Sequence, residues 1–382
     1  MTHFLAPLVI LLVIVAFRSM RSGSGGGPSG SKSGAVRRAP VSFDAAAYGL
    51  VPREALDPRR SGPPQSEAVL KESQALANTV WGGNWRAAAE HIKAAGTDWD
   101  EHWDRFELLR AIAREDDAWL NTWRKADPDD CNAAALEADL MVHRAWAIRG
   151  SGYAGEVPAE RMAEFRALLP AAIEAGHRAA LLAPDNPAPW VVMVTAARGA
   201  QFKPDRFQPL WDGLTARAPH HYEGHWQGMQ YWCAKWYGSN TQMMEFAKRA
   251  MDTAPTGSPL AGIYLHALTE LQERRSALPA GAEARQRLWA VADALAQVPA
   301  DNGKVPGLRQ LLAYFLGEAG MYEAAVEQFR LIGRWCGASV WSDQGDPVEA
   351  FHAARAVAVE KAKLKPLPPE ERPIKNLDAA QH

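Results

Sequence analysis

Residues 183–219 read APDNPAPWVVMVTAARGAQFKPDRFQPLWDGLTARAP, two Ala-Pro pairs enclosing two apolar-periodic segments. A third pair follows at Ala254-Pro255, so Pro184, Pro219 and Pro255 stand 35 and 36 residues apart. Between the pairs, Ala188 to Arg198 and Arg206 to Arg217 carry apolar residues at helical period. Proline ends the second segment of each pair, because it lacks the N–H that helix continuation needs and disfavours helical backbone in the residue before it. A period of one helical hairpin predicts a stack of helix pairs, in which each pair buries its apolar face only against its neighbours.

The same texture extends from Ser66 to about Lys363. Apolar alternation is absent, β-branched residues are scarce, and Ala/Leu/Glu/Arg segments alternate with short turns such as Trp81-Gly-Gly-Asn84 and Ala126-Asp-Pro-Asp-Asp130. The fold class read from this is all-α, a right-handed solenoid of about seven helical hairpins occupying residues 66–363.

Outside that body the chain changes character. Phe4 to Phe17 is an uncharged apolar run of 14 residues, covering about 21 Å as a helix and reaching a full span only with its flanks. No cation precedes it, whereas Arg18, Arg21, Lys32, Arg37 and Arg38 follow it. By the positive-inside rule residues 1–20 are expected to be a single-pass transmembrane anchor with the body on the cytoplasmic side of the cell membrane; the alternative is an atypical signal sequence with an exported domain, against which the unpaired cysteines weigh. Residues 21–65, rich in Gly and Ser and then in Pro and Arg, are expected to be a linker, with Phe43 to Leu50 able to dock on the body. An insertion is expected at Gly150 to Pro158. Residues 364–382, with Pro366, Pro368, Pro369 and Pro373, are expected to be a disordered tail.

Bulk composition excludes several functions. A net charge of -2 gives no basic stripe for nucleic acid. The three cysteines, Cys131, Cys233 and Cys336, form neither a disulfide framework nor a zinc ribbon. No nucleophile elbow, phosphate loop or dinucleotide fingerprint occurs, so no catalytic residue, cofactor or metal is expected. The nearest metal-like pattern is His220-His221-Tyr-Glu223-Gly-His225, where His221 and His225 share a helix face. It lacks a third ligand and the glutamate position of a zinc protease. A metal-dependent hydrolase built on His221, Glu223 and His225 is the least favoured function; a polar helix start on the surface is the ordinary explanation.

Fifteen tryptophans, many at i, i+4 spacing (Trp81/Trp85, Trp99/Trp103, Trp119/Trp123, Trp232/Trp236), are read first as core plugs and second as an aromatic groove for a small molecule or glycan. At the Lys235–Asn240 turn, Ser239 or Asn240 caps the next helix. Lys235, and Arg149 at the end of a long helix before Gly150, have no such role. They are assigned as polar contacts to a ligand, while Arg198 suits a helix C-terminus by charge alone. The candidate ligand- or partner-binding residues are therefore Arg149, Lys235, Trp236, His221 and His225, and the expected partner is a protein or peptide.

Two motifs carry a family resemblance. Gly320-Met-Tyr322-Glu-Ala-Ala325-Val-Glu-Gln-Phe329 and Gly83-Asn-Trp85-Arg-Ala-Ala88 resemble the second-helix signature of tetratricopeptide (TPR) repeats. The resemblance implies that the Gly makes the inter-helix turn and the Ala lets two helices approach closely. Phe207 and Met243 stand where the middle repeats need that small residue, so those repeats are degenerate. Ala145-Trp-Ala-Ile-Arg-Gly150 and Lys235-Trp-Tyr-Gly-Ser239, followed by Met243-Met-Glu-Phe-Ala247, resemble a bacterial domain family of unknown function over residues 70–340. Tyr237 departs from its expected Lys-Trp-Gly-Gly-Ser. The resemblance implies a fold, with no activity attached.

Overall fold

The computed structural model describes residues 43–150 and 157–372. Within them the chain is all-α, with sixteen α-helices, a few 3-10 turns and no strand. The one β-bridge joins Asp57 to Trp335. Residues 1–42, 151–156 and 373–382 lie outside this description, and with them the expected anchor, the Gly/Ser-rich stretch, most of the insertion and the end of the tail. Among the described residues no helix is long and apolar enough to cross a membrane. The helices fall into two compact units, residues 65–253 and residues 43–64 together with 254–372.

The first unit contains α1 (Glu67–Trp81), α2 (Trp85–Lys93), α3 (Trp99–Glu115), α4 (Ala118–Ala126), α5 (Cys131–Arg149), α6 (Ala159–Leu182), α7 (Ala188–Gly199), α8 (Pro204–Thr215), α9 (Tyr222–Tyr231) and α10 (Asn240–Asp252). Most sequence neighbours pack pairwise, and α3, α5, α7 and α9 also lie each against the next. Side-chain caps start several of them: Asp98 accepts from the Glu101 N–H at 3.0 Å, Asp130 from Ala133 at 3.0 Å, and Ser239 from Gln242 at 3.2 Å. Helices α6, α8 and α10 stop shortly before Pro184, Pro219 and Pro255, as the Ala-Pro period predicts. Small residues set the spacing. A Cβ added at Gly176 would sit 2.5 Å from Met193 Cγ, so α6 and α7 touch almost backbone to side chain. At the two repeat-like motifs, Gly83 and Gly320 have φ of +94° and +72°, and Ala88 and Ala325 are fully buried. Phe207 and Met243, in the degenerate positions, are buried too.

The second unit contains α11 (Ile263–Glu273), α12 (Gly281–Ala296), α13 (Val305–Glu318), α14 (Tyr322–Ile332), α15 (Ser339–Ser342) and α16 (Pro347–Ala362). Phe329, Trp341 and Phe351 form its aromatic centre, with ring centroids 5.1 to 6.0 Å apart. Residues 43–64 are an ordered strap on this unit: Phe43 to Leu50 docks, as its sequence allows, and the ordered packing extends through residues 51–64, which corrects the linker expectation there. Leu50 is 1% exposed, and Ala45 and Ala47 are buried. The strap is held through its backbone. Arg330 donates to the Tyr48 carbonyl at 2.9 and 3.1 Å, Arg355 to Val51 at 2.6 Å, Arg334 to Ala55 at 3.2 Å and Gln310 to Ser61 at 2.9 Å. Residues 364–372 correct the tail expectation in the same way, with the Leu367 N–H donating to Ala47 O at 2.6 Å. Proline and arginine density disguised both segments, because main-chain recognition leaves little trace in side-chain pattern.

Gln310 is the junction of this arrangement. It is wholly buried, donates to both Ser61 O and Trp335 O (2.8 Å), and accepts from Trp341 Nε1 at 2.6 Å. Replacing Gln310 with Leu leaves the buried Trp341 Nε1 and the part-buried carbonyls of Ser61 and Trp335 without this partner, each costing up to about 1–3 kcal/mol. Chemical denaturation of Gln310→Leu is expected to show the second unit destabilised by about 3 kcal/mol or more; a change within about 0.5 kcal/mol would contradict the strap's role.

Candidate ligand-binding face

The α3–α5–α7–α9 layer carries an unusual density of charge and tryptophan. On α5, Asp139, His143, Trp146 and Arg149 recur at spacings of four, three and three, which puts them along one side of the helix. The N-terminal half of that row is ionic. Arg110 of α3 lies 3.0 Å from Glu107 Oε1 and 3.5 Å from Asp139 Oδ2, and His143 Nε2 lies 3.6 Å from the same oxygen. Burial pushes the Asp139 carboxyl up to about 6; Arg110 opposes the shift, while Glu107 and Glu223 of α9 add to it. Glu223 in turn accepts from Gln227 Nε2 at 2.9 Å.

The C-terminal half of the row is a cation–aromatic cluster drawn from four places in the chain. Trp146 and Trp236 meet edge to face, with centroids 5.7 Å apart. The Arg149 guanidinium lies 5.5 Å from the Trp146 ring and 6.0 Å from Trp236. Arg198, from the end of α7, lies 5.1, 5.3 and 5.9 Å from Trp146, Trp236 and Trp226. Two glycines make this convergence sterically feasible. A Cβ at Gly199 would fall 2.7 Å from Leu169 and 3.1 Å from Trp146, and one at Gly238 would fall 1.8 Å from the Trp232 carbonyl oxygen. The 232–239 turn can therefore fold tightly enough to bring Trp236 onto Trp146. Arg149 is half-buried and donates to Gly150 O at 3.1 Å. Burial lowers its pKa, yet a guanidinium stays charged at any physiological pH. Among the described residues it has no carboxylate partner.

The sequence-derived candidates divide. Arg149 and Trp236 come together, and Lys235 lies exposed on the same turn. His221 and His225 do not join them and do not lie on the surface. Both are buried at the start of α9: His221 Nδ1 accepts from the Gly224 N–H at 3.2 Å as the helix cap, and its ring packs edge-on to Trp103. His225 donates through Nδ1 to His221 O at 3.0 Å and sits against Trp211 and Phe246, where burial pushes it down to about 4. It is a neutral imidazole fixed in one tautomer. Among the described residues no group of three His, Cys, Asp or Glu side chains is placed to hold a metal ion. Of the paired tryptophans, Trp103, Trp119 and Trp123 are core, whereas Trp99 and Trp236 are only half-buried. Sequence reasoning undervalued Arg198 and Trp226, whose part in the cluster depends on helices remote in the chain.

Comparison with protein-family models, with curated proteins and with solved structures finds no match to this chain.

Asp139 generates a pH prediction. Its folded pKa lies above the unfolded value near 3.9, so the folded state holds the extra proton between about pH 4 and 6, and stability from this group falls as pH rises through that window. His225, depressed in the fold, acts oppositely over about pH 4 to 6.5, so the group must be isolated by difference. Asp139→Asn is expected to be more stable than the parent at pH 7.5 by on the order of 2 kcal/mol, with the gain vanishing near pH 4. Paired denaturation curves at the two pH values check this.

Proposed function

We propose that this chain is a non-enzymatic adaptor of TPR-like helical-repeat build, tethered to the cell membrane by residues 1–20, whose first unit holds a segment of a partner protein. The observation that carries the reading is the Arg149–Arg198–tryptophan cluster. Arg149, half-buried and without a carboxylate partner among the described residues, is costly to desolvate and recovers that cost when a ligand supplies an acceptor. The rings around it hold the cations in place beforehand, so little side-chain freedom is lost on binding. Tryptophan and arginine are also the residues that dominate protein interfaces energetically. The side-by-side packing of α3, α5, α7 and α9 supports a repeat architecture, in which such a layer forms one continuous face. The apolar run before a row of cations supports tethering with the body in the cytoplasm.

Affinity capture of tagged full-length protein from native membranes after mild crosslinking, repeated with Arg149→Ala/Arg198→Ala, tests the proposal. One dominant partner, reduced about tenfold or more in the double variant while helical circular dichroism is retained, is the expected result. Equal capture by parent and variant would remove the cluster from the interface.

A further inference from the structure

A cleft of about 700 Å³ opens on the first unit between α2, the starts of α3 and α5, and the 183–186 turn. It shares no residue with the Arg149 cluster. Its aromatic wall is Trp99, half-buried and edge-on to His102 at 5.5 Å. Its polar floor is Asn132, whose Oδ1 accepts from His102 Nε2 at 2.9 Å and from Asn186 Nδ2 at 3.0 Å. An amide oxygen only accepts, so this pair of bonds fixes the orientation of the Asn132 side chain. The Asn132 amide N–H groups make no hydrogen bond among the described residues. Around this floor stand two cations of α2, Arg86 and Lys93, neither in an ion pair among the described residues, and three carboxylates, Glu90, Asp130 and Asp185.

That lining selects by chemistry. An anionic ligand meets three carboxylates, and a cationic one meets two cations. An apolar ligand would strip water from all five charges without replacing its hydrogen bonds. A neutral polyol avoids each penalty, because every hydroxyl both donates and accepts and so can serve Asn132, Lys93 and Asp185 alike. A pyranose also has an apolar C–H face suited to the flat indole of Trp99. The volume lies within the usual range of roughly 300–1,000 Å³ for small-ligand sites. We infer that this cleft is a saccharide-binding site for a neutral, disaccharide-sized glycan segment, in addition to the partner-binding face and independent of it.

Isothermal titration of the full-length protein with maltose, cellobiose, lactose, trehalose and diacetylchitobiose, each at low and high salt, tests this. Saturable binding of at least one sugar, unchanged by salt, is expected. Arg86→Ala/Lys93→Ala changes only exposed side chains and is expected to weaken that binding about tenfold, Trp99→Ala to abolish it, and Trp99→Phe to restore part of it. Trp289→Ala, at an exposed tryptophan of the second unit, is expected to leave it intact. No heat with any of the five sugars up to about 10 mM would overturn the assignment. So would binding that the Arg86/Lys93 and Trp99 variants leave unaltered, or binding that fades with salt.

Discussion

Close approach of helix backbones in the first unit is the constraint on which the candidate face depends. Helices α5, α6 and α7 present Ala133, Ala138, Ala145, Ala172, Ala179 and Ala197, all buried with essentially no exposed surface, and Gly176 and Gly199 admit neighbours that a Cβ would exclude. Only with α6 and α7 this near does Trp146 lie against Gly199, and only then do Arg149 and Arg198, ending two different helices, reach the same pair of indoles. Interiors pack at crystal-like density, so one added methyl in such a contact forces the neighbours apart. The charged and aromatic groups are thus a consequence of small-residue packing beneath them.

Charge is handled differently in the two units. In the first, Arg110 and Asp139 are buried together beside a half-buried Glu107, and the Asp139 carboxyl still titrates high because desolvation outweighs its pairing. In the second, Arg355 is 1% exposed and its charge is met by the Val51 carbonyl and His352 Nδ1, with burial pushing the guanidinium down to about 10. Neutral acceptors take one bond from each of its terminal nitrogens without cancelling its charge, and Nε is left buried without a partner.

The helices were legible in the sequence, and the residues of the candidate cluster only in part. Proline spacing and glycine turns located α6 to α10 closely because they act through local backbone geometry, which needs no knowledge of neighbours. Arg149 and Lys235 were singled out by elimination, as residues that neither capping nor packing required, and Arg149 does lie in the cluster. The histidines misled for a physical reason: i, i+4 spacing describes one helix face but not whether that face meets water or Trp103, Trp211 and Phe246. Residues 51–64 escaped for another. Their partners lie some 250 to 300 positions away and recognise carbonyl oxygens, which every residue possesses.

The account stands on Arg198 and Trp236, 38 positions apart in sequence, sharing one cluster, and a double-mutant cycle measures that directly. Unfolding free energies of the parent, Arg198→Met, Trp236→Leu and the double variant give the coupling between the two side chains. A coupling of about 0.5–2 kcal/mol is predicted for a partly desolvated cation–aromatic contact. A coupling indistinguishable from zero would mean that α7 and the 232–239 turn do not converge, and the binding face would have to be abandoned.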